Sequence, residues 1–133
     1  MKNIIFAGIA IAALFAFPAF AGGLNGSVAD CDNPGALKTI DARFDHAFLH
    51  KGKISIERIT KVHQHRLEVA TTRSPITRRY CGAIAHMSDG RNRTMWYVIE
   101  DGMGLASMGD NVEFCVSGLD PMKAYDGRCR VLK

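Results

Sequence analysis

The chain has 133 residues, 47% of them hydrophobic and 23% charged, with a formal net charge of +4. That is enough apolar material for one domain core and too little for two, and it excludes disorder as the main state. With Gly 13 and Pro 4, the sequence is also too sparse in both and too aperiodic for a fibrous or low-complexity chain.

The N-terminal segment carries the strongest signal. Lys2 is followed by an uncharged apolar run over residues 4–17, and Pro18-Ala19-Phe20-Ala21 ends in the small-x-small pattern of a cleavage site. A membrane span needs about 20 apolar residues, whereas this run stops at Pro18 and meets Gly22-Gly23. The sequence therefore predicts a signal peptide over residues 1–21, a flexible Gly-rich arm over 22–30, and a single domain over 31–133. No second run of spanning length follows, so the mature chain is expected to be free of the membrane and either periplasmic or secreted.

Within the domain, Asp32 or Asn33 can cap a helix and Pro34 suits its first turn. Leu37, Ile40, Phe44, Ala47 and Phe48 recur at the spacing of one buried helical face, which predicts a helix over 34–50 ended by Gly52. Next, Ile54 and Ile56 fall on one strand parity while Ile59, Leu67 and Val69 fall on the other, so 53–70 reads as two strands or one strand with a bulge. A turn at 71–75 leads to a strand over 76–87. The turn Ser88-Asp89-Gly90 leads to a β-branched and aromatic strand over 93–100. A Gly-rich connector (DGMGLASMGD) precedes a strand over 111–117, and the tail turns at Asp120-Pro121 and Asp126-Gly127. The predicted class is α+β, one N-terminal helix packed on a curved antiparallel sheet of four to five strands. This order of elements is similar to cystatin-like and NTF2-like architecture, an analogy that carries no function.

All four cysteines, Cys31, Cys81, Cys115 and Cys129, lie after the cleavage site, and an even number in a small exported chain reads as two disulfides. No pair has the close spacing of a zinc knuckle, and no Cys-x-x-Cys marks a redox thiol. Of three pairings, Cys31 with Cys81 and Cys115 with Cys129 is favoured, the first tying the helix entry to a central strand and the second tying the tail to the last strand.

Several fragments carry a family resemblance: Arg79-Tyr80-Cys81, Ser88-Asp89-Gly90, Trp96-Tyr97-Val98-Ile99-Glu100, GDNVEFCVSGLD and Cys129-Arg130. Together they resemble a group of small exported alphaproteobacterial proteins with no assigned activity. The resemblance implies a periplasmic or secreted address and brings no catalytic residues.

Charge is unevenly spread. Residues 51–93 hold ten Lys or Arg against three acids, and residues 94–126 hold six acids against Lys123 alone. If strand pairing gathers Arg78, Arg79, Arg91 and Arg93, they form a patch for an anionic envelope component or an acidic protein face. The plainer alternative is a solvated sheet edge whose charges discourage aggregation. Trp96 is the outward candidate of the Trp96-Tyr97 pair, and Met103 and Met108 in the connector are candidates for meeting a partner. His63 with His65, and His46 with His50, have ligand-compatible spacing but lack a third partner, so no metal and no cofactor are expected.

No Ser-His-Asp order, phosphate loop or zinc-protease helix appears, which favours a non-enzyme. The expected function is an exported, disulfide-stapled binding or accessory protein that engages an anionic envelope component or a protein. The alternatives are a small hydrolase or nuclease using His63 or His65, and an inhibitor of a host or competitor enzyme such as lysozyme. Nucleic acid as a binding partner is not expected.

Overall fold

The computed structural model describes residues 28–47, 52–104, 109–120 and 122–133. The expected signal peptide, most of the expected arm, and Phe48, His50 and Met108 lie outside the described residues.

Helix α1 spans Pro34–His46. Asn33 caps it, its side-chain oxygen accepting the Ala36 N–H at 3.1 Å, and Pro34 fills the first position, where a missing N–H costs nothing. Arg43 and His46 lie in the last turn, where positive charge suits the helix dipole. The helix stops four residues earlier than its periodicity predicts, because Ala47 is already extended. Alanine is the best of helix formers, so the stop does not come from the preference of Ala47 itself.

Four strands follow: β1 (Ile56–Glu68), β2 (Arg78–Met87), β3 (Asn92–Glu100) and β4 (Asn111–Val116). They pair antiparallel in the order β1-β2-β3-β4, an open meander with β1 and β4 at its edges. The conflict of parity in the first strand resolves as one strand with irregularities. The β1–β2 register shifts between Ile56 and Arg58, between Thr60 and His63, and between Gln64 and Arg66, and Lys61 takes φ +53° in the middle shift. The β2–β3 hairpin closes as its turn residues predict, with Gly90 at φ +77° and Met87 exchanging backbone bonds with Gly90 and Arg91 at 2.9 Å each.

The protein is thus α+β, one helix packed against an open four-stranded antiparallel sheet. Ala36, Ile40 and Phe44 of α1 meet Cys81, Ala83, Ala85 and Met87 of β2, Met95, Tyr97 and Ile99 of β3, and Val112 and Val116 of β4. Tyr97 is wholly buried, and its hydroxyl donates to the Cys31 carbonyl at 2.6 Å. Burial, with Asp32 nearby, pushes its pKa far up, so the phenol stays a donor at every physiological pH.

The opposite face of the sheet has a smaller core of Val98, Cys115, Cys129 and Leu132, with Tyr80, Trp96 and Tyr125 packed against it. The tail supplies half of it, ending in a 3-10 turn at Arg130–Leu132. Both disulfides pair as favoured, Cys31–Cys81 and Cys115–Cys129. Two such bonds fit a compartment outside the reducing cytoplasm. Among the described residues, no helix is long and apolar enough to cross a membrane.

The last residues of the expected arm are held in place. Val28 is 3% exposed, and the Arg79 guanidinium donates to the carbonyls of Val28 (3.2 Å) and Ala29 (2.9 Å) while pairing with Asp30 at 3.1 Å. The Ala29 N–H donates to Asp110 at 2.8 Å.

Candidate binding face

The sheet face turned away from α1 gathers most of the chemistry in the chain. Gly82, in the middle of β2, pairs with His63 on β1 and with Trp96 on β3. A Cβ there would lie 2.8 Å from the His63 imidazole and 3.1 Å from the Trp96 ring. Such separations are below van der Waals contact, so the absence of a side chain at Gly82 is what lets the two rings settle over the strand.

The register shift between Gln64 and Arg66 then changes the alternation of β1. His65 sits edge-on to Trp96 with ring centroids 5.1 Å apart, and 6.2 Å from Tyr80. Arg66 stacks over the Tyr80 ring at 3.7 Å and pairs with Glu68 at 3.0 Å, while the Tyr80 hydroxyl donates to Glu68 at 3.3 Å. Gln64, between the two histidines, bonds instead with Arg79, whose guanidinium grips the N-terminal residues of the domain. The tail closes the other side, with Lys133 Nζ 5.7 Å from the centre of the Trp96 ring. The result is an aromatic floor of Tyr80 and Trp96 ringed by His63, His65, Arg66 and Lys133.

The two histidines differ electrostatically. His63 Nδ1 donates to the Lys61 carbonyl at 2.9 Å, which leaves Nε2 as the acceptor of the neutral ring. His65 has its pKa pushed below the ordinary imidazole value, chiefly by burial; a backbone bond to Leu132 opposes the shift, and the charges of Arg66 and His63 add to it. Burial likewise raises the Tyr80 phenol. Among the described residues, no three His, Cys, Asp or Glu side chains converge in a way that could hold a metal ion.

The four arginines proposed from sequence do not converge. Arg78 and Arg79 open β2 at one end of the sheet, whereas Arg93 pairs with Ala85 near the hairpin. At about 3.3 Å per residue, the six residues from Arg79 to Ala85 put the two pairs about 20 Å apart along the strand. Arg78 is taken by Glu100 at 2.8 Å, and Arg93 by Asp89 at 3.7 Å and the Ser117 carbonyl at 3.3 Å. Arg91 is 74% exposed and lies 4.0 Å from Asp89. Met103 is exposed, and Trp96 alone of the proposed binding residues is at the centre of the aromatic face.

Arg66, Tyr80, Gly82 and Lys133 had no motif to mark them. The one available signal was His63-x-His65, which strand alternation places on one face, whereas Arg66 joins them only through the shift in register. No family model, no curated protein and no solved structure matches this chain.

Proposed function

We propose that this is an exported binding or accessory protein, periplasmic or secreted, whose open sheet face engages an anionic component of the cell envelope. One observation carries the reading: two cations, Arg66 and Lys133, stand over the partly exposed rings of Tyr80 and Trp96 with His63 and His65 beside them, and the single acid at this cluster, Glu68, is held by Arg66 and the Tyr80 hydroxyl. Aromatic faces offer apolar contact and the cations offer charge, a combination suited to a phosphate-bearing headgroup or an acidic glycan. Two disulfides and the signal sequence read at the N-terminus support the envelope as the place of action.

Trp96 is the only tryptophan in the chain, so its fluorescence reports directly on this face. Vesicles containing phosphatidylglycerol should shift that emission, with binding that weakens as salt rises, and pure phosphatidylcholine vesicles should not. Arg66→Gln with Lys133→Gln should reduce the affinity several-fold, while Arg91→Gln, outside the face, should leave it unchanged. An equal response to both kinds of vesicle, or to both sets of variants, would remove the reading. A fluorescence response to an acidic protein with none to vesicles would move the partner class from lipid to protein.

The adjacent imidazoles favour a second reading. With its pKa lowered, His65 is neutral near pH 7 and free to accept a proton, and His63 lies on the same face, the pairing of imidazoles that phosphodiester cleavage uses. Turnover of a diester substrate that disappears in both His63→Ala and His65→Ala would support it, and no turnover by the wild-type protein would discard it.

A further inference from the structure

Two consecutive residues of β1, His65 and Arg66, stand on the same sheet face, where strand alternation would put them on opposite ones. The pairing shows how. Gln64 lies across from Cys81 and Arg66 across from Tyr80, so His65 is an extra residue and two side chains of β1 share one position of β2. Both reach the Tyr80 ring, with the Arg66 guanidinium 3.7 Å and the His65 ring 6.2 Å from its centre. Past this bulge, Leu67 lies across from Arg79 and Glu68 across from Arg78.

A ladder without the bulge would run on from Gln64 and Cys81 by pairing His65 with Tyr80, Arg66 with Arg79 and Leu67 with Arg78. Arg66 would then leave the Tyr80 ring for the helix side, directly opposite a second guanidinium, and like charges so placed destabilise a strand pair. Arg79 is fixed at that position. Its Nε donates to the Ala29 carbonyl at 2.9 Å, one Nη donates to the Val28 carbonyl at 3.2 Å and pairs with Asp30 at 3.1 Å, and the other Nη donates to the side chain of Gln64, the last residue before the bulge. The bulged register gives Arg79 an apolar neighbour in Leu67. It also sets Glu68 between two cations, Arg66 at 3.0 Å and Arg78 on the facing strand.

We infer that Arg79 is a positioning residue for the binding face: from the other side of the sheet, its fixed charge selects the bulged register of β1 and so sets Arg66 beside His65 over Tyr80. The consequence for binding rests on the reading of that face given above, whereas the register is tested without any ligand.

The test reads the register of the oxidised protein by NMR. In the wild type Leu67 lies across from Arg79, on the helix side, and its methyl groups should give no cross-peak to the Tyr80 ring. Arg66→Glu and Arg79→Glu each turn the opposed charges of the regular ladder into an attraction. Each should slip the end of β1 by one residue, carry Leu67 to the far face and produce that cross-peak. Arg79→Lys keeps the charge and should keep the wild-type pattern. Arg79 also holds residues 28–30, so Arg66→Glu, at a side chain 42% exposed, decides the matter if Arg79→Glu does not fold. The wild-type pattern in Arg66→Glu would overturn the inference, and so would the slipped pattern in Arg79→Lys. On phosphatidylglycerol vesicles, Arg79→Glu should lose several-fold more affinity than Arg91→Glu, which makes the same change of charge outside the face. Arg66→Gln added to Arg79→Glu should lose nothing further, and additive losses would overturn the coupling. A wild-type protein without affinity for these vesicles would remove the binding reading, while the cross-peaks still decide the role of Arg79.

Discussion

At the scale of single residues, Gly82 makes the sharpest case. The atoms that a Cβ would meet are the ends of two side chains and not backbone, so they can move aside. Gly82→Ala should then cost no more than about 1 kcal/mol in chemical denaturation, yet it should displace His63 and Trp96 and change the tryptophan emission. Adding His63→Ala should return most of the stability, and a double-mutant cycle measures how much. His65 supplies a pH prediction. Its pKa is lower in the folded protein than the unperturbed value near 6.5, so its neutral form is the one folding favours. The associated stability is present above about pH 6.5 and is lost as pH falls through the lower folded value. Denaturation midpoints of wild type and His65→Gln should therefore converge as the solution is acidified, with the imidazole followed by NMR. His63, His65 and Trp96 stood out in the sequence, but Gly82 between them did not, because a glycine in a strand has several uses and only the register names its neighbours.

At the scale of elements, the order of helix and strands was readable because each carries a local signature: Asn33-Pro34 at the helix start, Asp89-Gly90 in the hairpin, and alternating apolar residues in β2 and β3. The first strand resisted reading for a physical reason. Its apolar residues change parity where the chain inserts extra residues, and a register shift is a property of two strands together. Those shifts, with Glu57, Arg58, Lys61 and Arg66 along it, also blunt a 13-residue edge that would otherwise invite another strand. Lys61 holds left-handed backbone that suits glycine. Lys61→Gly should be neutral or stabilising by up to about 0.5 kcal/mol, since relief of strain offsets the added chain entropy, whereas Lys61→Val should destabilise by about 1–2 kcal/mol. Paired thermal melts measure the difference.

At the scale of the whole molecule, α1 covers one face of the sheet and the stapled tail covers part of the other. Closing a loop of about 15 residues stabilises by about 3 kcal/mol, so Cys115→Ser with Cys129→Ser should lower stability by about that amount. Hydrogen exchange should show the tail opening while β2 and β3 stay protected. Pairing of the four cysteines was legible because both bonds join neighbours in the predicted topology, while the aromatic face was not, since it is made by segments distant in sequence. The grip of Arg79 on Val28, Ala29 and Asp30 has a bearing on how the right bonds come about. It brings the segment just before Cys31 onto the strand that carries Cys81, two residues along from Arg79. If the same contacts form in the reduced chain, they should bring Cys31 to Cys81 ahead of its other two partners. Arg79→Gln, oxidised from the reduced state, should yield more of the mispaired isomers in a non-reducing peptide map, at the same total thiol consumption.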